Sequence, residues 1–199
     1  MLQNKIAIIT GASRGIGKSI ALTYARNGAS LVLICHKDME SLKLVKEKAE
    51  LLGAKVINLA GDIASSNFCN EIIHQTLEKF NTVDILVNCA GTITRSPVEK
   101  MSNEEWHRVI DVNLHSALYL SRNVLPIMRR KKYGKIINLT SQMAYTPHPS
   151  ASPSYEVSKS GMTALTRHLA LKYAKYNICV NNIAPGSIDT DLPKSMSNE

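Results

Sequence analysis

The sequence predicts a single doubly wound α/β domain, and three observations indicate it. Short apolar runs alternate with amphipathic segments along the whole chain, which is typical of a parallel sheet with helical crossovers. A glycine-rich turn, Gly11 to Gly17, separates the first apolar run from the first helical pattern. The 199 residues, 44% of them hydrophobic, suffice for one buried core and are few for two domains. We therefore expect one domain over residues 1–199.

The first half of the chain contains three apolar runs that predict strands buried on both faces of a sheet. They cover residues 5–10, 30–35 and 55–60. Two helical patterns separate them. The first follows the glycine turn and stops at Asn27-Gly28, and the second covers residues 39–52 and stops at Gly53. Three strands alternating with two helices favour right-handed crossovers and a parallel sheet.

The second half of the chain continues this alternation. Further strands are predicted at residues 84–88, 135–140 and 178–184, and helices at residues 65–80, 103–130 and 154–176. The sequence Ser102-Asn-Glu-Glu105 is a capping signal that starts the helix at 103–130, and Gly134 is expected to end it. A proline-rich loop, residues 146–153, leads into the last helix. No repeat or linker indicates a second domain.

The composition predicts a soluble, cytoplasmic protein with reduced thiols. Cys35, Cys69, Cys89 and Cys179 form no C-x-x-C pair and no metal-ligand spacing, so neither a disulfide frame nor a metal site is expected. Cys35 and Cys179 fall in apolar runs and are expected in the core. The chain opens directly into an apolar strand, which leaves no room for a signal or transit peptide, and no apolar stretch reaches membrane-spanning length.

The basic residues give only weak information about partners. The formal charge of +8 favours polyanions, but net charge concerns association and solubility. The densest run, residues 129–132, fits the carboxyl end of a helix, where cations meet the negative pole of the dipole, better than a nucleic-acid or nuclear-import patch. We therefore expect no nucleic acid among the partners.

Tyr155 and Lys159 are the pair with the clearest chemical use. Four residues apart on a predicted helix, they lie on one face. A phenol titrates near ~10 in water and becomes a usable acid and base at neutral pH when an ammonium stabilises the phenolate. Taken alone, the spacing favours an ordinary helix-surface contact. The glycine turn changes that balance, because glycines let a backbone approach a pyrophosphate at a helix N-terminus.

Six motifs in this order resemble the short-chain dehydrogenase/reductase family. They are Thr10-Gly-x-x-x-Gly-x-Gly17, Asn88-Cys-Ala-Gly91, Asn113, Ser141, Tyr155-x-x-x-Lys159 and Pro185-Gly186. The resemblance covers the whole chain, implies a Rossmann fold, and is strongest to 3-oxoacyl carrier-protein reductases. The asparagine that is common in the second place of the Asn88 motif is replaced by Cys89.

The resemblance implies that a carbonyl is reduced to an alcohol by hydride transfer from a nicotinamide. Tyr155 would be the general acid and base, and Lys159 would lower its pKa and hold the nicotinamide ribose. Ser141 would orient the substrate oxygen. Asn113 would hold a water in a proton relay to Lys159, whereas the residues alone favour a structural asparagine bonded to a helix carbonyl.

The same resemblance implies a cofactor-binding set that spans the chain. Its members follow the strands or lie on the last helix: Gly11, Ser13, Arg14, Gly15, Ile16, Gly17, His36, Lys37, Asp62, Ile63, Asn88, Ala90, Gly91, Tyr155, Lys159, Pro185, Gly186, Ile188 and Thr190. Asp62 is expected to bond the adenine amino group, and Ile188 and Thr190 to contact the nicotinamide carboxamide.

Charge around the second strand favours NADP(H) over NAD(H). An acidic residue at the end of that strand would bond the ribose 2′-hydroxyl of NAD and repel a 2′-phosphate. Cys35 occupies this position, and His36 and Lys37 follow it. Arg14 stands inside the glycine turn. His36 and Lys37 alone fit an ordinary exposed turn equally well, and the presence of Arg14 favours binding of the 2′-phosphate.

Members of the family continue beyond the point that corresponds to Glu199, through a substrate lid, another helix and a seventh strand. We therefore expect a C-terminally incomplete fold with the strand at 178–184 as an exposed sheet edge. Two hypotheses follow. The first is an NADPH-dependent carbonyl reductase, with 3-oxoacyl thioesters as one candidate substrate class. The alternative is a truncated, non-catalytic NADP(H)-binding or regulatory protein.

The resemblance also implies partners. A homodimer or homotetramer would pair through the helices at 103–130 and 154–176. An acyl carrier protein is a candidate because six cations could form a face for an acidic partner: Arg129, Arg130, Lys131, Lys132, Lys172 and Lys175.

Overall fold

A computed structural model of the chain describes residues 1–149 and 151–188. Within them, six strands form one parallel sheet with helices on both faces, which confirms the predicted α/β class. The strands are β1 (Ile6–Thr10), β2 (Ser30–Cys35), β3 (Val56–Ala60), β4 (Ile85–Asn88), β5 (Gly134–Leu139) and β6 (Ile178–Ile183). The helices are α1 (Gly15–Arg26), α2 (Met39–Leu51), α3 (Ser66–Phe80), α4 (Asn103–Ile110), α5 (Ser116–Lys131) and α6 (Pro153–Tyr173).

The strand order is β3-β2-β1-β4-β5-β6, so the direction of winding reverses between β1 and β4. These two strands pair in register, with Ala7 opposite Ile85 and Ile9 opposite Val87. The connections that leave their carboxyl ends run to opposite sides of the sheet, which opens a crevice there. The topology therefore predicts a binding site over β1 and β4.

The core consists of two apolar layers, one on each face of the sheet. Ile8 and Leu86 pack against α3, α5 and α6, whereas Ile9 and Val87 pack against α1 and α2. All four side chains are fully buried. Neighbouring residues of a strand point to opposite faces, so covering both faces buries the entire apolar run. Each such side chain contributes roughly 1.5–3 kcal/mol relative to remaining exposed.

Side chains cap the helices that lead to the site. Ser102 caps α4 by accepting from Glu105 N at 3.1 Å, as the sequence predicts. Ser152 caps α6 by accepting from Tyr155 N at 3.4 Å. The Ser152 cap fixes the start of α6 within three residues of Tyr155, because a free helix end would otherwise fray.

The predicted regular helix at 103–130 is interrupted in the structure. A π-helical segment, Asp111–His115, lies between α4 and α5. The prediction that Gly134 ends this helix is wrong. Lys132, with φ of 51°, ends it, and Gly134 is the first residue of β5. A Cβ at position 134 would lie 2.3 Å from Met128 Sδ, so the glycine serves close packing and not a helix stop.

The last strand has one uncovered face. Among the described residues β6 pairs with β5 alone, as expected of a sheet edge, and its alternate residues Cys179, Asn181 and Ile183 are exposed. The prediction that Cys179 lies in the core is therefore wrong, because an apolar run cannot reveal whether both faces of its strand are covered. Lys135 Nζ donates to Cys179 Sγ at 2.9 Å. All four cysteines are free thiols.

No helix within residues 1–149 and 151–188 is long and apolar enough to cross a membrane. The same residues contain no group of three or more histidine, cysteine, aspartate or glutamate side chains that could hold a metal ion.

Candidate active site

A cavity of about 750 Å³ lies over the carboxyl ends of the strands, at the reversal between β1 and β4. The segments that follow all six strands contribute to its walls, and Tyr155 and Lys159 of α6 complete it. The volume and the mixed polar and apolar walls suit a ligand of cofactor size. The two stretches that the sequence singles out, the glycine turn and the tyrosine-lysine pair, therefore line one cavity.

The glycine turn has a backbone that other residues could not adopt without rearrangement. Gly11 has φ of +67°, and a Cβ there would lie 2.9 Å from Ala90 Cα. A Cβ on Gly17 would lie 2.2 Å from Gly11 O. The first residues of α1 thus approach β1 closely. Arg14 at the N-cap makes no side-chain cap, which leaves N–H groups of the first turn for an anionic ligand. These residues fit the pyrophosphate of a dinucleotide.

Thr10 holds the two central loops together, and sequence reasoning missed its role. Its hydroxyl accepts from Cys89 N and Ala90 N at 3.0 Å each. The loop after β4 is thereby held beside the glycine turn. Thr10 opens the glycine motif of the sequence, but a hydroxyl residue at the end of an apolar strand is too common to indicate which backbone groups it bonds.

Tyr155 and Ser141 meet at the cavity from different elements. Ser141 follows β5 and caps the short 3-10 turn Gln142–Ala144, and Tyr155 lies in the first turn of α6. Burial raises the pKa of Tyr155, and the Ser141 side chain acts in the opposite direction, so that the net pKa is above the ordinary value of a tyrosine. The two hydroxyls together can hold a carbonyl oxygen and exchange a proton with it.

Lys159 lies beneath this pair and is almost fully buried, with 4% of its surface exposed. Its Nζ donates to Leu139 O at 2.7 Å and lies 5.7 Å from the centre of the Tyr155 ring. Burial lowers the pKa of Lys159 to about 8, and the neighbouring Cys89 thiol partly offsets this change. The sequence predicts that Lys159 lowers the Tyr155 pKa. In the structure the Ser141 side chain lowers it, and the effect of Lys159 on Tyr155 stays a prediction.

Asn113 joins the loop after β4 to α6, which differs from the structural role that the residues alone favour. Its Oδ1 accepts from Thr92 N at 2.8 Å, and its Nδ2 donates to Thr92 O and to the Ser158 hydroxyl at 2.9 Å each. It bonds no carbonyl of its own helix. A Cβ on Gly91 would lie 3.3 Å from Asn113 Oδ1 and 3.5 Å from Lys159 Nζ, so both polar groups border one glycine. The relay water stays a prediction.

Asn88 does not line the cavity. Its side chain is buried, and its Nδ2 donates to Asn138 Oδ1 at 2.7 Å. Asn138 in turn donates to the Thr166 hydroxyl at 2.8 Å. This buried chain of hydrogen bonds links β4 and β5 to α6, so the structure gives Asn88 a role in alignment where the sequence predicts cofactor contact.

The far end of the cavity carries a charged pair. Arg108 of α4 donates to Asp62 Oδ2 at 2.5 Å, and Ala64 N donates to Asp62 Oδ1 at 3.0 Å. Burial raises the pKa of Asp62, but these two bonds and the Arg108 and His36 charges outweigh it, so the pKa is lowered. Both carboxylate oxygens are engaged, and sequence reasoning missed Arg108 entirely.

Most of the predicted site residues line the cavity. The set comprises Gly11, Ser13, Arg14, Gly15, Ile16, Gly17, His36, Lys37, Asp62, Ile63, Ala90, Gly91, Ser141, Tyr155, Lys159, Pro185, Gly186 and Ile188. Thr190 lies outside the described residues. The loop with Pro185 is tied to the turn after Ser141, because Gln142 N donates to Pro185 O at 3.0 Å. Arg95 also lines the cavity, and the sequence offers no signal for it beyond its place after a strand.

Comparison with protein families identifies relatives of this chain. The model of the short chain dehydrogenase family matches residues 5–199. The chain is 34% identical over 196 residues to a 3-oxoacyl-acyl-carrier-protein reductase FabG from Staphylococcus epidermidis. This alignment covers 98% of this chain and 80% of the relative. It is 32% identical over 198 residues to a 3-oxoacyl-acyl-carrier-protein reductase from Synechocystis, with 100% of this chain and 80% of the relative covered.

Solved structures show the same likeness. Acetoin dehydrogenase YohF from Salmonella typhimurium superposes with a TM-score of 0.88 at 31% sequence identity. The match covers 94% of this chain and 74% of that chain.

Proposed function

Since this chain belongs to the short-chain dehydrogenase family and is therefore an NAD(P)-dependent oxidoreductase, we propose that it uses NADPH to reduce a carbonyl group to an alcohol. One observation supports this reaction most strongly. Ser141 and Tyr155 line the cavity that the glycine turn also lines, and they are close enough for the Ser141 side chain to lower the pKa of Tyr155.

The proposed roles follow from the positions of the side chains. The Ser141 hydroxyl orients the carbonyl oxygen, and the Tyr155 hydroxyl donates a proton to it. Lys159, held by Leu139 O, keeps a positive charge below the tyrosine ring, which favours the phenolate that remains. A bound nicotinamide would supply the hydride. The glycine turn and the start of α1 would hold the pyrophosphate.

The proposed preference for NADPH is supported by the charges beside β2. Arg14, His36 and Lys37 line the cavity there. Asp38 is the nearest carboxylate, and its side chain caps α2 by accepting from Ser41 N at 3.1 Å. A 2′-phosphate would therefore meet three groups able to carry positive charge and one acid already engaged by a helix.

Reduction of a defined carbonyl tests the proposal. Purified protein is mixed with NADPH and either methyl acetoacetate or 3-oxobutyryl-pantetheine, and the products are identified by NMR. We expect oxidation of NADPH with formation of the matching 3-hydroxy compound. NADPH binding detected by its fluorescence, without turnover of these or other ketones, would contradict the reductase proposal and favour a non-catalytic cofactor-binding protein.

Two finer proposals concern partners. The named relatives support 3-oxoacyl thioesters on an acyl carrier protein as one substrate class. Lys131, one of the six cations in the predicted carrier face, forms an ion pair with the buried Asp84 and also donates to Thr82, so it belongs to the fold. A carrier face would rest on the other five cations, and its binding should weaken steeply with salt.

We also propose a homodimer that pairs through α5 and α6. Leu118 of α5 and Val157 and Leu171 of α6 are large apolar residues that are 38%, 47% and 86% exposed. Val157 and Leu171 are about four helical turns apart and so share one face of α6. Burying these side chains against a second copy would remove apolar surface from water.

A further inference from the structure

Arg95 lies at the wall of the cavity and has no partner among the described residues. It lines the cavity and is exposed, and within residues 1–149 and 151–188 it makes no ion pair, hydrogen bond or aromatic contact. Two other arginines differ: Arg108 is paired with Asp62, and Arg129 lies over the Tyr176 ring at 5.1 Å. Arg95 thus presents an uncompensated guanidinium to whatever enters.

The backbone around Arg95 is held in place on both sides. Thr92 is bonded through its N–H and its carbonyl to Asn113, at 2.8 and 2.9 Å. The Thr94 hydroxyl donates to the Ser152 hydroxyl at 2.9 Å. Ser152 is the residue that caps α6 at Tyr155 N. Arg95 is therefore the next residue after Thr94, which bonds the helix cap beside Tyr155. This position is at the end of the cavity where the substrate would lie.

The charges of the cavity leave Arg95 available. Asp38 and Asp62 are the carboxylates among the described lining residues, and both are already bonded, to Ser41 N and to Arg108. Arg14, His36 and Lys37 stand beside β1 and β2, where we propose the cofactor phosphate. A guanidinium binds carboxylate and phosphate groups through two parallel hydrogen bonds, which makes it selective for these anions.

We propose that Arg95 binds an anionic group, a carboxylate or a phosphate, on the carbonyl substrate, and so selects charged oxo compounds over neutral ones. This inference rests on the proposed function, because Tyr155 fixes where the carbonyl lies. It assigns Arg95 as a specificity residue that contacts the substrate away from the reacting atoms.

Two matched pairs of substrates test the role of Arg95. Acetoacetate is compared with methyl acetoacetate, and 3-oxobutyryl-pantetheine 4′-phosphate with 3-oxobutyryl-pantetheine. The first pair differs by a carboxylate and the second by a phosphate. Wild type, Arg95→Gln, Arg95→Lys and Arg26→Gln are assayed at low and high salt. Arg26 is an exposed arginine on α1 that does not line the cavity, which makes it a matched control.

We expect Arg95→Gln to lower kcat/KM for the anionic member of at least one pair about tenfold more than for its neutral partner, through KM. Arg95→Lys should recover part of the loss, and salt should weaken the preference of wild type. The pair that responds identifies the anion. Equal effects on anionic and neutral substrates, or the same result with Arg26→Gln, would overturn the inference.

A failure of the proposed reaction can be told apart from a failure of this inference. If wild type reduces none of the four compounds, the reductase proposal fails. Calorimetric titration with acetoacetate and with pantetheine 4′-phosphate then decides on Arg95. Weaker binding of either anion to Arg95→Gln than to Arg26→Gln supports the site, and equal binding overturns it.

Discussion

The Tyr155 hydroxyl is subject to two opposed influences in the structure. Burial destabilises its phenolate, and the Ser141 hydroxyl stabilises it. The balance leaves the phenol protonated at neutral pH, which suits a residue that must donate a proton to a carbonyl. Burial instead lowers the pKa of Lys159, to about 8, since its ammonium lies between α6 and the end of β5.

The separation of these two pKa values predicts the pH dependence of carbonyl reduction. Lys159 loses its charge as the pH rises through about 8, whereas burial raises the pKa of Tyr155. If the lysine charge supports proton donation, kcat/KM for reduction should fall above about pH 8 with a one-proton slope. A profile that stays level to pH 9.5 would contradict this role.

The same lysine makes a prediction about stability with the opposite sign. Its pKa of about 8 in the folded protein lies below the ordinary 10.5, so between these values the unfolded chain binds more protons. The free energy of unfolding contributed by Lys159 should therefore rise with pH across this window. Urea denaturation of wild type and Lys159→Met at pH 7.5 and pH 10 measures it, and an equal pH response in both proteins would contradict the account.

Cys35 gives a prediction about cofactor choice. Its buried side chain lines the cavity at the end of β2, beside His36 and Lys37. An aspartate there would repel a 2′-phosphate and accept from a ribose hydroxyl, so Cys35→Asp should weaken NADPH binding about tenfold and favour NADH. Cys35→Asn, of similar size but neutral, is the control. Fluorescence titration with both nucleotides decides, and an unchanged preference in Cys35→Asp would count against NADPH recognition here.

At the scale of single residues, spacing along the chain indicated Tyr155, Lys159 and the glycine turn, and the family resemblance indicated Ser141. The sequence could not predict what Asn88 and Asn113 bond, because their partners Asn138, Thr92 and Ser158 come from other elements. It missed Arg95 and Arg108 for a related reason. An arginine in a loop or on a helix surface shows its purpose only when the surrounding charges are known.

At the scale of elements, the π-helical segment Asp111–His115 determines where Asn113 lies. A π turn changes the register of a helix, so residues before and after it no longer share one regular face. Asn113 is buried within it and bonds the loop after β4 to α6. The apolar spacing of residues 103–130 predicted the helix itself, but spacing near 3.6 residues carries no sign of one wider turn.

Removal of the Asn113 side chain should loosen this junction. Asn113→Ala leaves the Thr92 N–H and carbonyl without their partner, and each unsatisfied buried group costs about 1–3 kcal/mol. We expect the free energy of unfolding to fall by roughly 2–3 kcal/mol and carbonyl reduction to fall with it. Asn123→Ala is the control, because Asn123 lies on α5 and bonds Asn70 at the surface. Similar losses for both variants in urea denaturation would refute the special role of Asn113.

At the scale of the whole molecule, the fold was predictable because alternation of strands and helices leaves few topologies. The single parallel sheet with helices on both faces agrees with the prediction, and among the described residues β6 pairs with β5 alone. The exposure of Cys179 was not predictable, since it depends on which face of β6 other elements cover.

The proposed dimer makes a prediction at this scale. Leu171→Glu, alone or with Leu118→Glu, should produce a monomer, because a charge would be buried at the shared helix faces. Leu51→Glu is a matched control, since Leu51 on α2 is 88% exposed and Leu171 is 86% exposed. Light scattering after gel filtration measures the mass. A monomeric wild type, or an unchanged mass for Leu171→Glu, would contradict pairing through α5 and α6.

The most direct measurement is the turnover of NADPH with a substrate that wild type reduces, in Tyr155→Phe and in Tyr24→Phe. Tyr24 is a half-buried tyrosine on α1 whose pKa burial also raises, and it does not line the cavity. We expect Tyr155→Phe to bind NADPH as wild type does and to lose about 100-fold or more in kcat, with Tyr24→Phe close to wild type. A Tyr155→Phe variant that retains full turnover would show that this phenol is not the proton donor.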